Sequence, residues 1–269
     1  MTIAKQSVHD FWNEASCGEQ LYLHGDDARQ QFVNQAQVRY DLEPYIIPFA
    51  GFAQSARKRV LEIGVGLGAD HQQFAEAGAH LSGCDLTERS IAHTQQRLNL
   101  FGLTSDLRVA DAEQLPYVDA SFDWVYSWGV IHHSPNTPQA VREIERVLAP
   151  GGEARVMIYH TYSFVGYMLW LRYALAVGRP FRSLASIYAE HLESPGTKAY
   201  TVAEARRLFS SFSRVTIDTV LTHGDLLSSQ AGQRHKGPLL TLARRLFPRR
   251  SVQGLFPKHG LFMLIKATK

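Results

Sequence analysis

Apolar runs and helical repeats alternate along the middle of the chain. Val60-Leu61-Glu62-Ile63 is a short apolar run that stops at glycines. Residues 69–77 follow with helical spacing that turns Phe74 and Ala75 inward. Residues 80–84 predict a second strand ending at Asp85, and residues 88–99 a helix with Ile91, Thr94 and Leu98 on one side. Leu107-Arg108-Val109 predicts a third strand ending near Asp111, and residues 122–127 a fourth. Residues 137–148 read as a helix with Val141, Ile144 and Leu148 inward. Pro150-Gly151-Gly152 punctuates, and residues 153–159 make a fifth strand. Strands alternating with crossover helices imply an α/β fold with a doubly wound parallel sheet. Farther on, Thr201 and Glu204 form a capping box that opens a helix over 201–209. Residues 213–221 and 261–267 predict sixth and seventh strands. The long excursion between them suits an antiparallel edge strand.

This pattern divides the chain into four parts: a helical segment at 1–58, an α/β core at 59–160, a cap insertion at 161–200, and the end of the sheet at 201–269 with a second insertion at 223–258. Composition agrees. The chain has 269 residues, of which 45% are hydrophobic and 20% charged. That is a globular domain with a cap rather than a disordered chain. A net charge of +3 is too mild to suggest a nucleic-acid partner. Two cysteines, Cys17 and Cys84, make neither a disulfide framework nor a metal cluster, and the scattered histidines lack ligand spacing, so no metal is expected. The opening residues lack the apolar stretch of a secretory signal. The longest apolar run, 163–178, is interrupted by Arg172 and falls short of the ~20 residues a bilayer requires. The expected compartment is the cytoplasm.

Candidate chemistry gathers at the strand ends, where open α/β sheets bind ligands. The first strand leads into Glu62-x-Gly64-x-Gly66-x-Gly68, which lets backbone N–H groups approach a ligand at a helix N-terminus. Asp85, ending the second, can accept both hydroxyls of a ribose. Asp111-Ala112, after the third, is placed to meet the exocyclic amine of an adenine. The fourth runs into Ser127-Trp128-Gly129-Val130-Ile131-His132-His133. Singly, each has an ordinary alternative: a tight turn, a helix cap shared with Thr87, a solvated turn. Together, each at the end of its own strand, they read as one nucleotide-type site.

These motifs, with Asp85-Leu86-Thr87, Asp111-Ala112-Glu113-Gln114-Leu115-Pro116, Phe122-Asp123 and Leu148-Ala149-Pro150-Gly151-Gly152, resemble those of the class I S-adenosylmethionine-dependent methyltransferases. The likeness is closest to the small-molecule group related to the ubiquinone and menaquinone C-methyltransferases (methyltransferase type 11-like), and covers about residues 59–160. It implies a seven-stranded Rossmann-like sheet and S-adenosylmethionine as cofactor. It also implies roles: Gly64, Gly66 and Gly68 around the methionine part, Glu62 ordering that loop, Asp85 on the ribose, Asp111 and Ala112 at the adenine with Leu86 packed on it, and Ser127, Trp128 and Gly129 lining the methionine side. A nicotinamide-dinucleotide oxidoreductase would share the glycine loop and Asp85 but leaves Asp111-Ala112 and the double histidine unexplained. A non-catalytic cofactor-binding scaffold is the other alternative.

Methyl transfer is an in-line displacement governed by alignment. An acceptor that must lose a proton needs a base, and His132, His133 and Tyr159 are the candidates. Two readings of the double histidine stand: one member is a base, or His132 packs beneath the loop while His133 bonds the backbone. Trp12 and Tyr22, in a segment resembling the family's N-terminal lid, and Tyr167 and Trp170, in the apolar run, are candidates for the substrate chamber. The apolar run either walls a hydrophobic cavity or completes the core. The basic stretch at 239–250 suggests a weak peripheral membrane contact beside its plainer reading as a solvated helix face. The expected partner is a small, partly hydrophobic methyl acceptor, with no nucleic acid.

Overall fold

The computed structural model of the chain describes residues 2–19, 23, 27–229, 241 and 244–269. Before the sheet come α1 (Ile3–Glu14), α2 (Ala28–Leu42) and α3 (Ile46–Ala50). The alternating segment is β1 (Arg59–Ile63), α4 (Ala69–Glu76), β2 (His80–Asp85), α5 (Glu88–Phe101), β3 (Asp106–Val109), β4 (Phe122–Trp128), α6 (Thr137–Val147) and β5 (Leu148–Tyr159). Then follow α7 (Phe164–Tyr173), α8 (Leu184–His191), α9 (Val202–Leu208), β6 (Arg214–Val220), α10 (Arg249–Leu255) and β7 (Phe262–Thr268). Side-chain caps start many of these helices. Thr87 accepts from Ser90 N–H, Asn136 from Gln139 N–H and Ser163 from Gly166 N–H. Thr201 and Glu204 close the expected capping box.

Among the described residues the strands form one seven-stranded sheet in the order β3-β2-β1-β4-β5-β7-β6. The pairs from β3 through β5 are parallel, and β7 runs antiparallel between β5 and the edge strand β6. Strand order reverses between β1 and β4, so the crevice beyond their carboxyl ends is where such a sheet binds ligands. The Pro150-Gly151-Gly152 turn does not delay the fifth strand to residue 153 as expected. The strand begins at Leu148 and absorbs the turn as an irregularity, with pairing to β4 passing from Phe122–Leu148 to Trp124–Glu153. Pairing of Gly151 and Gly152 with Lys269 holds the excursion in the sheet.

Successive strand residues alternate between two cores. Leu61, Ile63, Val156, Ile158, Met263 and Ile265 pack on one face with Val141 and Ile144 of α6 and Ala205 of α9. Val60, Trp124, Tyr126, Met157 and Leu264 pack on the other, with Ile46 and Phe49 of α3, Phe74 of α4 and Tyr188 of α8. Both faces are covered, as a mostly parallel sheet requires. A third, small cluster joins Leu169 of α7 to Ala174 and to Ile187 of α8. The apolar run therefore builds a core of its own at the active-site end of the sheet.

Candidate active site

The loop after β1 is tied down by its neighbours. Gly64 N–H donates to the Cys84 carbonyl at 2.7 Å and Gly66 N–H to Asp85 Oδ2 at 3.2 Å. Thr94 Oγ1 donates to the Gly66 carbonyl at 3.1 Å, and Arg97 to the Leu67 carbonyl at 3.0 Å. Among the described residues, no atom beyond its chain neighbours lies within 4 Å of where a Gly66 Cβ would stand. The loop thus faces open space on its ligand side. Asp85 Oδ1 also accepts from Thr87 N–H and Oγ1 at 3.0 and 2.9 Å. Burial raises the Asp85 pKa, and these hydrogen bonds oppose the rise.

A cavity of about 1060 Å³ opens over this loop, at the upper end of the usual range for ligand pockets. Glu62, the 64–68 loop, Asp85, Leu86, Asp111, Ala112, Trp128, His133, Tyr159 and Trp12 all line it. Predicted residues from five strand ends thus meet in one space. Other candidates stand elsewhere. Ser127 and His132 are fully buried and do not line the cavity. Both ring nitrogens of His132 lack a hydrogen-bond partner, and burial drives its pKa well below the ordinary value. The Tyr167 hydroxyl meets His259 Nδ1 at 2.8 Å, and Trp170 donates to the Arg182 carbonyl at 3.0 Å. Both belong to the cap, but the cavity wall is made by their neighbours Val165, Met168, Leu169 and Leu171. Tyr22 lies outside the described residues, as do 239, 240, 242 and 243 of the basic stretch.

Glu62 sits at the end of a buried relay. His71 Nδ1 lies 2.9 Å from Glu62 Oε2, His71 Nε2 lies 2.8 Å from Ser105 Oγ, and Ser105 donates to the Leu81 carbonyl at 2.9 Å. Because Ser105 spends its proton on Leu81, His71 donates through Nε2, and its Nδ1 shares one hydrogen bond with Glu62. Burial and the neighbouring Asp70 charge raise the Glu62 pKa well above the carboxylate range, while burial pushes His71 down to about 3. Both directions fit a neutral pair.

The sequence reading missed several charged residues here. Arg39 of α2 bonds Asp70 through Nε at 3.0 Å and through a terminal nitrogen at 2.6 Å, and Asp70 also accepts from Tyr40 and Tyr126. Arg39, Asp70 and Glu43 line the cavity. Burial pushes Glu43 up to about 7, against the opposing Arg39 charge 3.7 Å away. From α1, Lys5 reaches Asp111, and meets Glu113 at 2.7 Å. This holds Lys5, Val8 and Trp12 over the cavity.

The most reactive arrangement is at His133. Ser194 Oγ and Thr197 Oγ1 lie 2.8 and 3.1 Å from His133 Nδ1, and Thr197 Oγ1 donates to the Ser194 carbonyl at 2.6 Å. That fixes Nε2 toward Glu193 Oε2, at 3.2 Å. Tyr159 donates to the same carboxylate oxygen at 2.7 Å, and burial with the Glu193 charge raises the Tyr159 pKa, keeping its proton in place. Trp12 packs edge-on against the His133 ring, with centroids 5.3 Å apart. Ligand atoms of His132, His133 and Glu193 also lie within 4.8 Å of one another. Two imidazoles and a carboxylate are a set a divalent ion could use. Ligand spacing in the sequence does not show this grouping, because Glu193 lies 60 residues beyond His133, after α8.

Residues 61–156 match the family model described as a methyltransferase domain. The chain carries a methyltransferase domain. An uncharacterized protein of Mycobacterium tuberculosis is 32% identical over 150 residues, covering 56% of this chain and 52% of the relative. Methyltransferase GfsG of Streptomyces halstedii is 33% identical over 105 residues, covering 38% of each. The chain therefore spans about half or less of these relatives' lengths. Its fold is that of the class I S-adenosylmethionine-dependent methyltransferases. A Haemonchus contortus phosphoethanolamine N-methyltransferase, solved with phosphomonomethylethanolamine and S-adenosylhomocysteine, superposes with TM-score 0.58 over 97% of this chain and 60% of its own, at 16% identity.

Proposed function

We propose that the protein transfers a methyl group from S-adenosylmethionine to a small, partly hydrophobic acceptor, and that His133 and Glu193 handle the acceptor's proton. The observation that carries this reading is the single cavity into which the 64–68 loop, Asp85, Asp111 and the His133–Glu193 pair all open. Its residues suit the cofactor. Asp85 presents a carboxylate beside an open backbone cradle, and Glu62 places a carboxyl group of raised pKa at the methionine side. Leu86 and Ala112 offer apolar walls near Asp111. When bound, the cofactor supplies a methyl already activated by its sulfonium charge.

The chain's own contribution is placement, exclusion of water and proton handling. Loop and strand ends hold the methyl donor still, and alignment of this kind is worth ~7–11 kcal/mol of barrier. Helix α1 with Trp12 covers the chamber. Ser194 and Thr197 orient the His133 ring at Nδ1, its Nε2 holds Glu193, and the acceptor's proton goes to the Glu193 carboxylate of this pair. Such base assistance is worth roughly 10²–10⁴-fold. Val165, Met168, Leu169 and Leu171 wall the acceptor end and favour an apolar body. Titration calorimetry with S-adenosylhomocysteine tests the reading. Binding that weakens in Asp85→Ala supports it. No heat from folded protein, or heat with NAD alone, removes it.

A further inference from the structure

We propose that the basic face of the cap is a docking surface for a lipid bilayer carrying anionic headgroups. Residues 161–200 and 223–258 together contain eleven Arg and Lys against three Asp and Glu, in a chain that is only +3 overall. The rest of the chain is therefore net negative, and the positive charge is collected in the two insertions. The structure joins them. Phe164 of α7 packs edge-on against Phe247 and Phe256 at 6.1 and 6.0 Å, and Val165 N–H bonds Asp225 at 3.1 Å, within the second segment.

Large apolar side chains stand out among these cations. Leu171 and Leu175 are 50% exposed, Val177 57% and Phe181 99%, with Arg172 and Arg179 exposed between them. Leu246 and Leu255 are exposed on the second segment. Aliphatic and aromatic groups interleaved with arginine fit a surface that is anionic outside and apolar beneath. A nucleic-acid backbone would have no use for the exposed aliphatics. A second copy of the same face would bring like charges together. No helix of the described residues is long and apolar enough to cross a membrane, so the contact is peripheral. Leu171, Arg172 and Ala176 are exposed and also line the cavity, so this tip is part of its rim. An amphiphilic acceptor could then enter from the bilayer. That consequence rests on the proposed function, whereas the surface does not.

The test is flotation of the full chain with phosphatidylcholine vesicles and with phosphatidylcholine–phosphatidylglycerol vesicles, without cofactor or acceptor. We expect binding to the anionic vesicles only, falling steeply with salt. V177D/F181D and R179E should each lower partition about tenfold or more while keeping far-UV circular dichroism and Tm, since these side chains are exposed. No flotation with anionic vesicles at low salt overturns the proposal, as does unchanged partition in both variants. Binding of duplex RNA without vesicle binding overturns it in favour of nucleic acid. A dimer in sedimentation velocity that V177D/F181D dissolves, again without vesicle binding, overturns it in favour of a second copy.

Discussion

Gly64 is the position where the cofactor loop is most tightly constrained. Its φ is +83°, and an added Cβ would stand 2.1 Å from Val130 Cγ2 and 3.0 Å from Val130 Cβ. Gly64→Ala therefore combines two penalties. Holding an L-residue in the left-handed region costs ~1–2 kcal/mol, and forcing a methyl into a filled site costs ~1–3 kcal/mol. The sum, ~2–5 kcal/mol, is a large share of a typical domain's ~5–15 kcal/mol stability. The two penalties separate experimentally. Gly78 has φ +79° with nothing within 4 Å of its Cβ position, so Gly78→Ala should show the strain alone. In a Val130→Ala background the clash is largely relieved, and Gly64→Ala should fall back to the Gly78→Ala value. The cycle Gly64→Ala/Val130→Ala should then show ~1–3 kcal/mol of favourable coupling. Urea unfolding followed by far-UV circular dichroism gives the stabilities, and S-adenosylhomocysteine titration gives the binding. Gly64→Ala should weaken binding, and Gly78→Ala should not. A cost for Gly64→Ala below ~1 kcal/mol, or an additive cycle, refutes the steric argument.

Arg97 is buried, and its four bonds all go to neutral acceptors: Gln72, Gln35 and the Leu67 and Phe32 carbonyls. Arg97→Met should cost ~2–4 kcal/mol in urea unfolding by leaving them dry, and should loosen the loop through Leu67; unchanged stability would show that water satisfies them. Burial and the Asp70 charge raise the Glu62 pKa, so a cationic methionine group arriving beside it should lower that pKa and favour proton release. Calorimetry in buffers of different ionisation enthalpy should detect up to one proton released on S-adenosylmethionine binding in the wild type and less in Glu62→Gln; equal release in both would be contrary. Glu43 has its pKa raised from 4.5 to about 7 by burial. A raised carboxyl pKa favours folding below the unfolded value, and that stability is lost as pH rises through the folded value. Between pH ~4.5 and ~7 the wild type should lose up to ~3 kcal/mol relative to Glu43→Gln; a gain instead would mean that the Arg39 pair outweighs burial.

Much of the site was legible because parallel topology does the placing. Once β1, β2, β3 and β4 are read as parallel neighbours, Gly64, Asp85, Asp111 and His133 must emerge at the same edge, whatever their separation in the chain. The residues that escaped are those whose partners come from other elements. Glu193 reads as one polar residue in a loop, and only the fold of α8 brings it to His133. Arg39 and Arg97 look like solvated arginines on polar helix faces, since sequence shows a charge but not what covers it. Asp70 left a fainter signal, an acidic residue in the first turn of the helix after the glycine loop. Tyr167 and Trp170 were misplaced for a different reason. Helix α7 is apolar on nearly all sides, so its periodicity gives no direction, and its cavity wall turned out to be Val165, Met168, Leu169 and Leu171.

The same hidden contacts bear on where the chain divides. Read along the sequence, 1–58 is a cap set against a core at 59–160. The bonds run the other way. Arg39 of α2 neutralises Asp70 of α4, and Arg97 of α5 holds the Phe32 carbonyl and Gln35 of α2. Arg155 of β5 donates to the Phe49 carbonyl of α3 at 2.6 Å and stacks 3.9 Å from the Trp124 ring. Removing α2 and α3 would leave one carboxylate and two guanidinium groups inside the sheet's flanks without these partners. Asp70 would lose its guanidinium partner, the kind of loss that typically costs ~3–5 kcal/mol, and Arg97 and Arg155 would each lose hydrogen-bond acceptors at ~1–3 kcal/mol, together a large share of a domain's stability. Helices α2 and α3 therefore belong to the same folding unit as the sheet. The residues free to vary lie outside these bonds: Val165, Met168, Leu169 and Leu171 wall the acceptor end, so acceptor specificity can change there without disturbing Lys5 at Asp111 or Glu193 at His133.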